Sequence, residues 1–179
     1  MKKITTLLAA IVLVTCTYAQ QYTPVAESST VAFTIKNLGF NVHGSFSGLK
    51  GKISFDPAHP EHCSFDMVLD ANTVNTDNNM RDNHLRSEDF FDTKNYPQIT
   101  FVSTRVTKGS KAGTFFMEGN LTIKKISQPI SFPFTVTPTT DGYRMEGEFE
   151  TRRKPFTVGK SSTISDKLTV SLNVLARKV

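Results

Sequence analysis

Residues 72–97 read NTVNTDNNMRDNHLRSEDFFDTKNYP, and this stretch decides the fold. Before it, from about Thr30 to Asp70, apolar and polar residues alternate with period two, as in half-buried strands. From Gln98 onward they alternate again. Only the middle segment breaks that rhythm, while staying rich in charges, amides and aromatics. Connections longer than about 12–15 residues are uncommon, and many are lids or binding loops. Met80, His84 and Leu85 stand at i, i+4 and i+5, one face of a helical turn. Ser87 reads as an N-cap, with Glu88 and Asp89 in the first turn where the helix dipole favours acids. Tyr96-Pro97 closes the segment, because the residue before proline is pushed out of the helical region. The expectation is a short helical cap across one end of a β-structure, between its third and fourth strands.

Working outward, Val31, Phe33 and Ile35 share one face of the first strand. The second is punctuated by Gly44, Gly48 and Gly51 on its way to Phe55, and the third presents Phe65, Met67 and Leu69. Past the cap, Ile99 and Phe101 face one way, and 108–113 is a turn. A strand from Thr114 to Lys125 leads into a run with Ile130, Phe132, Phe134 and Val136 on one face. Pro133 removes a ladder donor, which predicts a local edge or bulge there. Thr140-Asp141-Gly142 signals a hairpin before Tyr143, Met145 and Phe149. After an interruption at 154–166, the last strand sets out Val170, Leu172 and Val174. Eight strands without intervening helical patterns argue against parallel βαβ units. Recurrent glycine bends and one apolar face per strand favour a closed barrel over a sandwich. The fold class is all-β, an eight-stranded antiparallel barrel.

The N-terminus reads as an export signal: Lys2 and Lys3, then an apolar run from Ile4 to Val14, then Thr17-Tyr18-Ala19 before Gln20. The expectation is a signal peptide at 1–19 and a single domain at 20–179, periplasmic or secreted. The apolar run is too short for a stable membrane span. A rival reading lipidates Cys16, although Thr15 fits poorly before it. Without Lys2 and Lys3 the formal charge falls from +5 to +3, a mild basicity. Arg152-Arg153-Lys154 is weak grounds for nucleic-acid binding and reads as a solvated corner. Cleavage leaves Cys63 alone, so no internal disulfide forms and burial must stabilise the fold.

Few residues invite chemistry. His59-Pro60-Glu61-His62 holds two imidazoles on a loop, with rings expected to diverge, so no metal site is expected. Asp82 could orient His84 as an acid–base pair, and Arg81 could hold an anion. No nucleophile motif or phosphate loop accompanies them, and the plainer reading is that they satisfy a partly buried cap. All 14 phenylalanines follow residue 19 and tryptophan is absent, which weakens a lectin reading. Inward candidates for a dry lumen are Phe33, Ile35, Phe65, Met67, Phe101, Phe132, Phe134, Met145 and Leu172. A solid core filled by these side chains remains open.

The chain resembles the YceI-like family of exported, lipocalin-like barrels. The resemblance rests on Asn75-Thr76, Arg81-Asp82-Asn83-His84-Leu85, Asp89-Phe90-Phe91-Asp92 and Tyr96-Pro97-Gln98-Ile99-Thr100-Phe101. It continues through Gly119-Asn120-Leu121-Thr122-Ile123 to Ser165-Asp166-Lys167-Leu168-Thr169-Val170. One departure is Lys154-Pro155-Phe156-Thr157-Val158-Gly159, where the family usually places a polar residue directly before Phe-Gly. The resemblance implies a lumen that binds a long isoprenoid lipid, of polyprenyl or isoprenoid quinone type, without cofactor or catalysis. Arg81, Asp82, His84, Phe90 and Phe91 are then structural parts of the cap. No nucleic-acid partner is expected, and a homodimer is left open. The competing functions are an enzyme acting on a lipid-linked substrate through His84 and Asp82, and a stress-related structural protein with a filled core.

Overall fold

The computed structural model describes residues 20–179; the expected signal peptide, with Cys16, lies outside them. Ten strands and one helix follow in order: β1 Gln20–Pro24, β2 Thr30–Asn37, β3 Phe40–Phe46, β4 Lys50–Phe55, β5 Ser64–Asp70, α1 Asn79–Arg86, β6 Gln98–Lys108, β7 Thr114–Ile123, β8 Ile126–Thr139, β9 Gly142–Arg152 and β10 Ile164–Lys178. All the pairings are antiparallel.

These ten strands build eight staves. β1 and β2 both pair with β10, Tyr22 opposite Lys178 and Thr30 opposite Asn173, so they are two halves of one stave. A short 3₁₀ turn at Ala26–Ser28 separates them. β3 and β4 are likewise halves of the next stave: β3 pairs with β2, and β4 with β1 and β5. Its break falls at 47–49, where Gly48 takes the left-handed φ of +71°. The pairing of β1 with β10 closes the ring. The chain is therefore an eight-stranded antiparallel barrel, with the cap between its third and fourth staves. The staves differ from the sequence expectation in that the second strand is split and 20–24 is also strand.

Alternation fixes which side chains look inward, and bulges reset it. In β6 the register shifts between Ser103 and Arg105, so Val106 joins Ile99 and Phe101 on the buried face. Pro133 marks an edge, as expected. β8 pairs with β7 along most of its length, but with β9 only from Phe134 onward. The two strands therefore part toward the cap end. The strand expected to run from Thr114 to Lys125 instead stops at Ile123. Lys124 and Lys125 turn the chain with φ of +51° and +63°, a geometry usually filled by Asn-Gly.

The end away from the cap is closed by rings. Tyr22, Tyr143, Phe55, Phe115, Phe134 and Phe65 form a chain of contacts with centroids 5.2–6.3 Å apart. Such pairs add to the area that they bury. Burial, then the neighbouring Tyr143, pushes the Tyr22 phenol up to about 12. Above about pH 10 an unfolded chain loses this proton while the native one keeps it. Stability should therefore fall between pH 10 and 12. Urea melts of the wild-type protein and Tyr22→Phe should diverge in that window, with the variant declining less; parallel curves would refute this.

Candidate functional site

The cap is held by a small set of directed hydrogen bonds. Asn78 starts α1, its side-chain oxygen accepting the Arg81 N–H at 3.0 Å. Ser87 ends the helix instead of starting one: its N–H and its hydroxyl both donate to the His84 carbonyl. Glu88 and Asp89 consequently sit in the following turn. The inward face of α1 carries Arg81, His84 and Leu85, whereas Met80, expected to share it, is 85% exposed.

Buried Asp82 receives the Thr76 N–H at 2.9 Å and the Thr76 hydroxyl at 2.5 Å. Arg81 donates to the same threonine, from Nε to Oγ1 and from Nη2 to the carbonyl, both at 2.7 Å. Arg86, which the sequence did not single out, donates to the carbonyls of Asn72 and Val74. Asp82 is thus committed to Thr76, while the His84 ring packs edge-on against Phe90 at 4.8 Å. The acid–base pair that a lipid-converting enzyme would need is not assembled. Asp82→Ala removes the acceptor of two buried donors, worth about 1–3 kcal/mol. A melting temperature lower by several degrees is expected by calorimetry, and one equal to the wild type would refute the structural role of Asp82.

Beneath the cap the barrel is hollow, with a cavity of about 680 Å³. That falls within the range of small-molecule sites. All nine inward candidates border it: Phe33 and Ile35 on β2, Phe65 and Met67 on β5, Phe101 on β6, Phe132 and Phe134 on β8, Met145 on β9 and Leu172 on β10. Phe33 and Phe101 lie flat across Gly44 and Gly119 on neighbouring strands; a Cβ there would meet the rings at 2.3 and 2.4 Å. Phe134 is wedged between Phe65 and Phe115 and forms part of the floor. Leu172 and Phe149 remain half-exposed to the open space. From the cap, Arg81, His84, Phe90 and Phe91 reach the lining, whereas Asp82 does not.

Arg153 and the loop after it also border the cavity. Arg153 is not the solvated corner that its neighbours suggested: it is only 5% exposed. Its guanidinium donates to the carbonyls of Ser165, Val158, Gly159, Ser161 and Ile164. Those five bonds draw the loop around one side chain. They also place Phe156 and Val158 against Phe90 in a second cluster. Among the exposed lining residues at this end are His84, Asp89, Lys160, Ser161 and Thr163, which locate the opening. Asn37 Oδ1 is buried in the lining without a hydrogen-bond partner.

Elsewhere, the His59 and His62 rings stack at 6.0 Å; they do not diverge. Their three-residue spacing in a 3₁₀ turn brings them onto one face. His59 bonds Asp56 at 2.8 Å and holds that carboxyl below its ordinary value. Cys63 is buried as a free thiol, and burial pushes its pKa up. No group of three or more metal-ligating side chains converges among the described residues, and no described helix is long and apolar enough to cross a membrane.

The strands and the cap thus enclose an apolar cavity within a closed antiparallel barrel. Residues 22–176 match the YceI-like domain, and the chain belongs to that family. A UPF0312 protein of Yersinia enterocolitica is 35% identical over 112 residues, 62% of this chain and 57% of the relative. The chain thus spans less than two thirds of the length of the curated relatives it matches. Among solved structures, BcnA of Burkholderia cenocepacia superposes with a TM-score of 0.79 at 25% identity, covering 84% of this chain and 98% of that one. The YCEI protein of Campylobacter jejuni gives 0.69 at 28% identity, over 78% and 86% of the two chains. A domain from Saccharophagus degradans described as polyisoprenoid binding shares the fold, with a TM-score of 0.69 at 17% identity over 91% and 100%.

Proposed function

We propose that this protein is a binding protein, not an enzyme, and that its lumen holds a long-chain isoprenoid or similar amphipathic lipid. The observation that carries this is the cavity of about 680 Å³, walled by phenylalanines and aliphatic residues and covered by the cap. The polar side chains of the lining, among them His84, Asp89 and Lys160, gather at the opening, while the apolar wall can replace water around a hydrocarbon chain. Burial is worth about 0.8 kcal/mol per methylene, so a twenty-carbon tail gains roughly 16 kcal/mol before ordering costs. The orphan acceptor of Asn37 near the mouth suits a head group that offers a hydrogen-bond donor. The polyisoprenoid-binding description of the Saccharophagus degradans domain supports an isoprenoid of polyprenyl or quinone type. The role is then transport, storage or protection of a membrane-derived lipid in the periplasm or outside the cell.

Organic extraction of the exported protein followed by mass spectrometry tests this. A retained isoprenoid, on a chain whose intact mass begins at Gln20, is the expected result. A protein without lipid would refute the binding role, a converted lipid would restore the enzyme, and a diacylated Cys16 would replace the soluble carrier with a tethered one.

A further inference from the structure

The β2–β3 hairpin turns at Leu38-Gly39, and its tip is apolar where solvent exposure and backbone geometry both call for something else. Leu38 is 70% exposed and Phe40 is 78% exposed. Leu38 also adopts a left-handed φ of +52°, where Asn or Gly is the usual occupant. A leucine there stabilises neither the turn nor the core, so it is explained by contact with something outside the chain.

The position of the tip says what that is. Asn37 and Val42, on either side of it, line the cavity. The Leu38 N–H donates to the Thr163 carbonyl at 3.0 Å, tying the tip to the loop that forms the opening. Lys36 on the hairpin and Lys160 on that loop are exposed, and neither side chain has a hydrogen-bond or ion-pair partner among the described residues. Neither 36–43 nor 159–163 contains an acid; Glu88 and Asp89 belong to the cap side of the opening. Two exposed apolar side chains flanked by free ammonium groups fit the interface of an anionic bilayer, apolar atoms among the upper acyl carbons and lysines on the phosphates.

We propose that the hairpin tip docks the barrel, mouth first, on an anionic lipid bilayer, so that a lipid passes between membrane and lumen without crossing water. This rests on the lumen reading above. It commits the tip to a membrane and not to a second copy of the chain.

The test is co-sedimentation of the mature protein with vesicles of phosphatidylcholine and phosphatidylglycerol in equal parts, against phosphatidylcholine alone. The wild-type protein should sediment with the anionic vesicles, and less so as salt is raised. Leu38→Asn with Phe40→Ser should lower partitioning by about tenfold or more. The fold should persist, because asparagine suits the left-handed position. Lys36→Gln with Lys160→Gln should weaken binding and flatten its salt dependence. Wild-type protein that stays in the supernatant, or tip variants that sediment equally, would overturn the proposal. So would a tip-dependent dimer by light scattering without vesicle binding, which would assign the face to a second copy. Lipid extracted from the same samples separates the two ideas. Lost vesicle binding with lipid retained places the effect of the tip variants on docking alone. A wild-type protein without lipid sinks the lumen reading and this proposal together.

Discussion

Replacing Arg153 with alanine should lower the melting temperature by about 10 °C. The guanidinium has five N–H donors, and all five are engaged on backbone carbonyls of the loop that follows it. Removing it leaves those acceptors without their donor, the carbonyls of Val158 and Gly159 in buried positions. Breaking a buried charged network costs about 3–5 kcal/mol, and each kcal/mol shifts the midpoint of a chain this size by about 2–4 °C. Arg153→Lys should rescue little, because an ammonium offers three donors from a single point and cannot span the carbonyls from Val158 to Ser165. Calorimetry of both variants decides the matter. A lysine variant that melts with the wild type would mean that charge alone, and not the fork of donors, holds the loop.

The second large effect concerns the lumen. Leu172→Gln should leave a folded barrel that retains roughly a tenth of its lipid. Leu172 lies opposite Val31 and Gly147 and faces the open cavity, so the new amide finds few partners and the lumen loses apolar surface. An unpaired amide in such a place costs about 1–3 kcal/mol. Thr135→Gln, on the outer face of β8, should be silent for both folding and lipid content. The contrast requires circular dichroism and lipid quantified per mole of protein. Equal lipid in the two variants would put the ligand outside the barrel. Phe134 is the poorer probe of the same idea, since its ring is packed between Phe65 and Phe115 and its loss would damage the floor as well.

Much of this architecture was legible because period-two alternation reports a half-buried strand directly. Phe132, Phe134 and Val136, or Phe65 and Leu69, could be placed inside from spacing alone. What alternation could not show was where a stave breaks or a turn uses unusual residues. Lys124-Lys125 carries no Gly or Asn, so its left-handed turn had no signal. Ser87 looked like a helix start because serine suits both ends of a turn; Asn78, nine residues earlier, already held the role. Arg153 was hidden for a different reason. In the run Arg152-Arg153-Lys154 three similar charges look alike in sequence, and only the surrounding carbonyls distinguish the buried one. The Asp82–His84 pairing failed because Thr76, six residues upstream, claims the carboxylate first.

The ring closes between β1 and β10, with Tyr22 against Lys178 and Pro24 against Ala176. The last strand is also the partner of β9 and β2, so three strands wait for it with bare edges. A chain synthesised from its N-terminus therefore cannot finish its barrel until the final residues are available. Pairings this distant along the sequence are slow to form, on the order of milliseconds to seconds. This topology builds a delay into the order of the strands: the lumen cannot be sealed until β10 has found its three partners.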